Sequence, residues 1–177
     1  MKKTVIRFGI FSSLIMGIGM AITMHFSDAI GFDNGEVAGY TVMVISFLMV
    51  FFGVRSYRDK LNEGTITFGK AFKVGSLIAL MSCIVYVAVW LVLYYNFMPD
   101  FGDKYAAHII DKMKAAHSSQ AEIDATMKEM ASFKEMYKNP FINAAMTFME
   151  PLPVALIMSL LSAAILRKKK AVNPQIA

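Results

Sequence analysis

An all-α, polytopic membrane fold with four spans is what this chain predicts, and three observations carry it. Four apolar stretches, at about 5–24, 37–54, 74–97 and 141–166, each reach or approach the ~20 residues a helix needs to cross a ~30 Å hydrocarbon core. None of them alternates apolar with polar residues, as a transmembrane β-strand would. Lys and Arg gather at every second junction between the stretches. Together these make one four-helix transmembrane domain over residues 1–177, with a helical segment at about 100–138 between the third and fourth spans.

The spans must be helices because lipid offers no partner for backbone N–H and C=O groups. The second, 37–54, is the shortest, yet it stays within the range that crosses a bilayer. Charge then sets the direction. Lys2, Lys3 and Arg7 flank the first span, and Arg55, Arg58, Lys60, Lys70 and Lys73 lie between the second and third. Arg167, Lys168, Lys169 and Lys170 follow the fourth. The connection at 25–36 has no Lys or Arg, only Asp28, Asp33 and Glu36. By the positive-inside rule both termini are cytoplasmic. The N-terminal run also has the outline of a secretory signal, but it is longer than the usual ~7–15-residue apolar core. Asp28 also suits a cleavage site poorly, so an uncleaved helix is expected.

A net charge of +5 raises the question of nucleic acid. The cations cluster at membrane edges, where anionic headgroups attract them, and no soluble basic face is present. No nucleic-acid partner is expected. The single Cys, Cys83, lies within a span and excludes an internal disulfide. His25, His108 and His117 form no His-x-x-x-His or His-Glu-x-x-His pattern, so no metal site, no cofactor and no catalytic residue is expected.

Small residues recur every fourth position, which places them on one helix face. The first span carries Gly9, Ser13, Gly17 and Ala21, the third region Ala71, Gly75, Ala79 and Cys83, and the fourth Ala155, Ser159 and Ala163. Such stripes let helices approach closely where lipid removes the hydrophobic drive to associate. Packing within the chain is the expected use, and a homo-oligomer is the alternative. Trp90, Tyr94 and Tyr95 read as aromatic anchors at the outer membrane interface.

The loop between the second and third spans has a turn signal at Asn62-Glu63-Gly64, a short extended piece at Ile66-Thr67-Phe68, and Thr67 as N-cap of the third helix. Gly64…Gly69-Lys70 imitates a phosphate-binding loop. However, Ala71 stands where the hydroxyl residue belongs, and no buried strand precedes it. Arg55, Arg58, Lys70, Lys73, Arg167 and Lys168 are therefore expected to touch lipid headgroups.

The connection at 99–139 shows helical spacing in Phe101, Tyr105, His108 and Lys112. Ser119-Gln120-Ala121-Glu122 is a capping box that restarts the helix, and Ile123, Met127, Met130 and Phe133 continue an apolar stripe. One broken or two consecutive amphipathic helices are expected outside the membrane, their stripe covered by lipid, the bundle's end or a protein partner. Asn139-Pro140 is a cap followed by a first-turn proline.

The residue that most needs explaining is Glu150, in Phe148-Met149-Glu150-Pro151-Leu152-Pro153. An acid inside a span costs ~2.5–3.5 kcal/mol or more at the centre and faces the bundle or water. Pro151 and Pro153 should kink the helix and free carbonyls a turn earlier. Asn143 and Asn96, at similar depth, are candidates to line the same polar site. Two uses are open: a structural pin between helices, or a pocket for a cation or proton.

These segments carry a resemblance. Phe52-Gly53-Val54-Arg55-Ser56-Tyr57-Arg58-Asp59, Ile66-Thr67-Phe68-Gly69-Lys70-Ala71-Phe72, Tyr94-Tyr95-Asn96-Phe97 and Phe148-Met149-Glu150-Pro151-Leu152-Pro153 resemble the Bacteroidota-type membrane family called domain of unknown function 4199. The likeness covers essentially the whole chain. It implies a bacterial inner-membrane location and brings no established activity. The expected function is a non-enzymatic accessory, scaffold or regulatory membrane component. The alternative is a small oligomeric transporter or channel that uses Glu150 at the kinked fourth helix.

Overall fold

The computed structural model describes residues 1–168. Lys169 and Lys170, part of the basic cluster after the fourth span, lie outside them. The described residues form α1 (Lys2–His25), α2 (Ser27–Ile30), α3 (Phe32–Leu61), α4 (Phe68–Asn96), α5 (Phe101–Ala115), α6 (Gln120–Tyr137), α7 (Pro140–Met149) and α8 (Leu152–Leu166). Four helical stretches are long and apolar enough to cross a membrane: α1, α3, α4, and α7 with α8. The all-α, four-span fold class agrees with the sequence expectation. The helices overrun the apolar stretches, most of all α3, which extends past 37–54 in both directions.

The small-residue stripes are consumed inside the chain. A Cβ at Gly9 would run into Met81 of α4, and one at Gly17 would meet Val89 at 3.3 Å. Gly75 of α4 lies against Val50 and Val54 of α3 and near the Ser159 backbone of α8. Where these backbones close up, Ser12 and Ser46 exchange hydrogen bonds, each hydroxyl donating to the other's carbonyl at 2.9 and 2.8 Å. Both serines are fully buried, so the pair satisfies polar atoms that neither lipid nor core could serve. Met16, Phe47, Val50, Val54, Val74 and Ile78 fill the space between.

At the end of the bundle rich in Lys and Arg, here the basic end, Glu63 (φ 52°) and Gly64 (φ 72°) make the turn after α3 in left-handed backbone. Thr67 caps α4 by accepting from the Lys70 N–H at 3.4 Å. The extended Ile66 has a partner that local sequence does not reveal: its N–H and C=O pair with those of Lys168, both at 2.9 Å. The loop is thereby latched to the end of α8.

At the opposite end, α5 and α6 fold into a hairpin joined by Asp103–Lys134 (2.6 Å). His117 turns the chain at φ 57°, and the Ser119/Glu122 capping box starts α6. Asn139 caps α7 with Pro140 in the first turn, its side chain accepting from the Phe141 N–H at 2.9 Å. The fourth span then breaks at Glu150–Pro151. Pro151 has no N–H to give, and the Thr147 carbonyl takes the Glu150 N–H at 3.3 Å instead. The break has a consequence for packing: α3 runs along α8, but α7 packs on α4 and not along α3. The two spans therefore part at the capped end.

One expectation is corrected here. Trp90 is not a surface anchor, being only 8 % exposed. Its ring meets Phe101 of α5 edge-on at 5.1 Å, because the α5–α6 hairpin covers the end of α4 where an open interface was expected. Tyr94 is half-buried against Tyr137, and Tyr95, exposed, donates to the Tyr137 carbonyl at 2.8 Å.

Candidate functional site

Asn143, Thr147 and Glu150 recur at helical spacing down α7, and Tyr86 and Trp90 are one turn apart on α4. The two faces meet. Trp90 Nε1 donates to Asn143 Oδ1 at 2.9 Å, Thr147 Oγ1 donates to the same oxygen at 3.1 Å, and Tyr86 Oη donates to Glu150 Oε2 at 2.8 Å. Asn143 is fully buried and Thr147 nearly so. A buried amide left without partners costs about 1–3 kcal/mol. This ladder meets that demand and fixes α7 on α4 in a single register. Glu150, at the break, uses one oxygen on Tyr86 and remains exposed on its other side.

That other side is a half-enclosed cavity of about 380 Å³. Met16 and Met20 of α1 form its floor, Tyr86 and Glu150 one wall, and α3 the facing wall. Gly31, the N-cap of α3, and Gly35 and Gly39 along the helix recur every fourth residue, and all border the cavity. A Cβ at Gly35 or Gly39 would meet nothing within 4 Å. Unlike Gly9 or Gly75, these two glycines hold no neighbouring helix close. Their effect is to leave room.

The roof is α5. Phe101, Tyr105, His108 and Lys112 border the cavity from above, tied to the start of α3 at two points. Asp33 accepts from Lys112 at 2.8 Å and lies 3.3 Å from His108 Nε2. The Phe32 ring packs against Phe101, Tyr105 and His108 at 5.8, 5.6 and 5.1 Å. The Asp33 hydrogen bond holds the Lys112 ammonium above the ordinary lysine pKa. Lys104 adds a looser contact to Asp28 at 3.6 Å. These roof contacts are exposed ion pairs and ring edges, which are individually weak.

Of the residues singled out from sequence, Glu150 borders the cavity and Asn143 stands behind it in the ladder. Asn96 is not brought there: its amide donates to the Val92 carbonyl on its own helix at 2.9 Å. Among the basic set, Arg58 turns partly inward (side chain 20 % exposed). It donates to Asp59 at 2.6 Å and to the Leu166 carbonyl at 3.4 Å, capping α8. Arg55 pairs with Asp59 at 3.7 Å. Lys70 donates to Asn62 Oδ1 at 2.8 Å and stands 5.4 Å over the Tyr57 ring. Lys168 joins the backbone latch to Ile66, and Lys73 and Arg167 are at the basic end. Sequence reasoning missed Tyr86, Glu36 and the glycine row. The four-residue spacing of Gly31, Gly35 and Gly39 was the signal available.

Chemically, the site offers carboxylates, phenols and thioethers around an apolar space. Among the described residues no group of three or more His, Cys, Asp or Glu is placed to hold a metal ion. A family described as a protein of unknown function, DUF4199, matches residues 6–168. Comparison with curated proteins and with solved structures found no match.

Proposed function

This chain is a member of the DUF4199 family, whose function is unknown, and we propose that it is a non-enzymatic membrane component that binds a small ligand beneath the α5–α6 cap. Its role is then accessory or regulatory: occupancy of the cavity is read out by the cap. The observation that carries this reading is the cavity itself. It has the size of a small-molecule site, mostly apolar walls and a few convergent polar groups, and its roof is held by weak, reversible contacts. The basic residues at the other end favour a cytoplasmic position for both termini, which puts the cap and cavity on the outer side of a bacterial inner membrane. Arg55, Lys73 and Arg167 suit lipid headgroups at the cytoplasmic face.

The test is thermal unfolding of the purified protein against a panel of small organic cations, anions and neutral solutes. At least one is expected to raise the melting temperature of the native chain but not of Gly39→Leu, whose side chain fills the cavity. Stabilisation by no compound, or by the same compounds in Gly39→Leu, overturns the reading.

A transporter is the second reading, favoured by an acid placed beside a proline break. It requires a path through the packed layer of Phe47, Val50 and Val54 below the cavity, hence a conformational change. Loss of solute flux in Glu150→Gln at undiminished membrane abundance would support it. A protein partner at the α5–α6 hairpin or a homo-oligomer would appear in the mass of the complex extracted in mild detergent.

A further inference from the structure

We infer that the cavity takes a lipophilic organic cation, a substituted ammonium or similar onium group, with Glu36 and Glu150 as its counter-charges. This rests on the ligand-binding reading above and specifies the ligand's class.

The charges facing the cavity do not balance. Asp33, Glu36 and Glu150 border it, with Lys112 and His108 opposite. Both bases converge on Asp33; Lys112 also feels the charge of Glu36, but among the described residues no base makes an ion pair with Glu36 or Glu150. Glu36 has no hydrogen bond or ion pair among the described residues. Glu150 has only the neutral Tyr86 hydroxyl. The two carboxylates border the same cavity. Acids near the end of a span are costly unless water or a counter-charge meets them. A cation between α3 and α7 would meet both at once, whereas an anion would meet two like charges.

The walls decide the kind of cation. Calcium or magnesium wants six or more oxygens, or retained water, in a polar shell. Here the surroundings of the acids are rings and thioethers: Phe32, Tyr40, Tyr86 and Tyr105, with Met16 and Met20. Aromatic faces attract an onium group, most strongly a desolvated one. Thioethers are polarisable and adapt to irregular apolar shapes. The space left at Gly35 and Gly39 suits an occupant with bulk of its own, not a bare ion.

The opening fits such a ligand. Glu36, Tyr40 and Glu150 are all exposed, along the side where α3 and α7 separate. A cation carrying apolar groups can enter there from the membrane interface, its charge led by the acids.

Equilibrium binding of radiolabelled tetraphenylphosphonium to the full-length protein in a non-ionic detergent tests this, with tetraphenylborate as an anion of the same shape. Saturable binding of the cation alone is expected. Glu36→Gln and Glu150→Gln should each weaken it about tenfold, on the scale of a lost charge contact. Gly39→Leu should abolish it. Glu36 makes no hydrogen bond or ion pair among the described residues, so Glu36→Gln should fold even if Glu150→Gln does not, and helicity and elution volume check both. Equal binding of cation and anion, unchanged affinity in Glu36→Gln, or no binding of the cation overturns the inference. The ligand-binding reading survives any of these results if a neutral or anionic solute stabilises the native chain and not Gly39→Leu.

Discussion

The Tyr86 hydroxyl donates a 2.8 Å hydrogen bond to Glu150 Oε2, joining the middle of α4 to the break between α7 and α8. It turns a proline interruption into a fixed feature. Without it, the parting of α7 from α3 would rest on Pro151 and on the Trp90–Asn143 bond higher on α7. The same bond holds the carboxylate beside the cavity and leaves its second oxygen without a hydrogen bond among the described residues.

A double-mutant cycle on Tyr86→Phe and Glu150→Gln measures that bond. Interhelical hydrogen bonds in membranes average about 0.6 kcal/mol and reach about 1.7 kcal/mol. A coupling in that range is expected from reversible unfolding in mixed micelles. Strict additivity of the two substitutions would show that the bond does not hold the break.

Asn143→Leu should destabilise the protein by about 1–3 kcal/mol, because it orphans Trp90 Nε1 in a dry interface. Asn96→Leu is the control. Its amide bonds only to its own helix on an exposed face, so its effect should stay within about 0.5 kcal/mol. Equal losses at the two positions would contradict the ladder.

Asp33→Ala removes the carboxylate shared by Lys112 and His108. Amide hydrogen exchange over 101–115 should then quicken, while exchange in α4 stays slow. Raised salt should produce a weaker version of the same change in the native chain, since these pairs are exposed and screened. Unchanged exchange in α5 would mean that ring contacts alone hold the roof.

Glu122 gives the cap a pH dependence. Hydrogen bonds from the Ser119 backbone N–H and hydroxyl hold its pKa below the ordinary value of 4.5. A carboxylate with a depressed folded pKa contributes stability above its unfolded pKa and loses it as pH falls through the folded one. The first turn of α6 should therefore stay protected at neutral pH and fray as pH drops below about 4.5. Amide exchange over 119–126, corrected for intrinsic rates, is the readout. Glu122→Gln keeps a capping acceptor and should flatten the profile. If Glu122→Gln frays with acid in the same way, another group is responsible.

Topology is tested with a Cys83→Ala background, since Cys83 is buried. A cysteine at Ser118 should react with an impermeant maleimide in intact cells, and one at Lys60 only after permeabilisation. The reverse pattern would invert the orientation and place the cavity on the cytoplasmic side.

By itself the sequence determined whatever depends on neighbours along the chain. Span lengths follow from apolar runs measured against a fixed bilayer thickness. The Thr67 cap, the Ser119/Glu122 box, the Asn139-Pro140 start and the interruption at Pro151 are backbone effects reaching no further than one helical turn. Tertiary structure alone decided which of these local features meet. Trp90 and Tyr86 read equally well as lipid-facing residues until α7 presents Asn143 and Glu150 to them. Asn96 and Asn143 look alike by depth, yet only Asn143 faces another helix. Gly35 and Gly39 look like packing residues, as Gly9 and Gly75 are. They become the wall of a cavity only because α7 bends away from α3 and α5 closes over the gap. Hydropathy has no term for a helix that leaves its neighbour, so the site belongs to the arrangement of helices and not to any one of them.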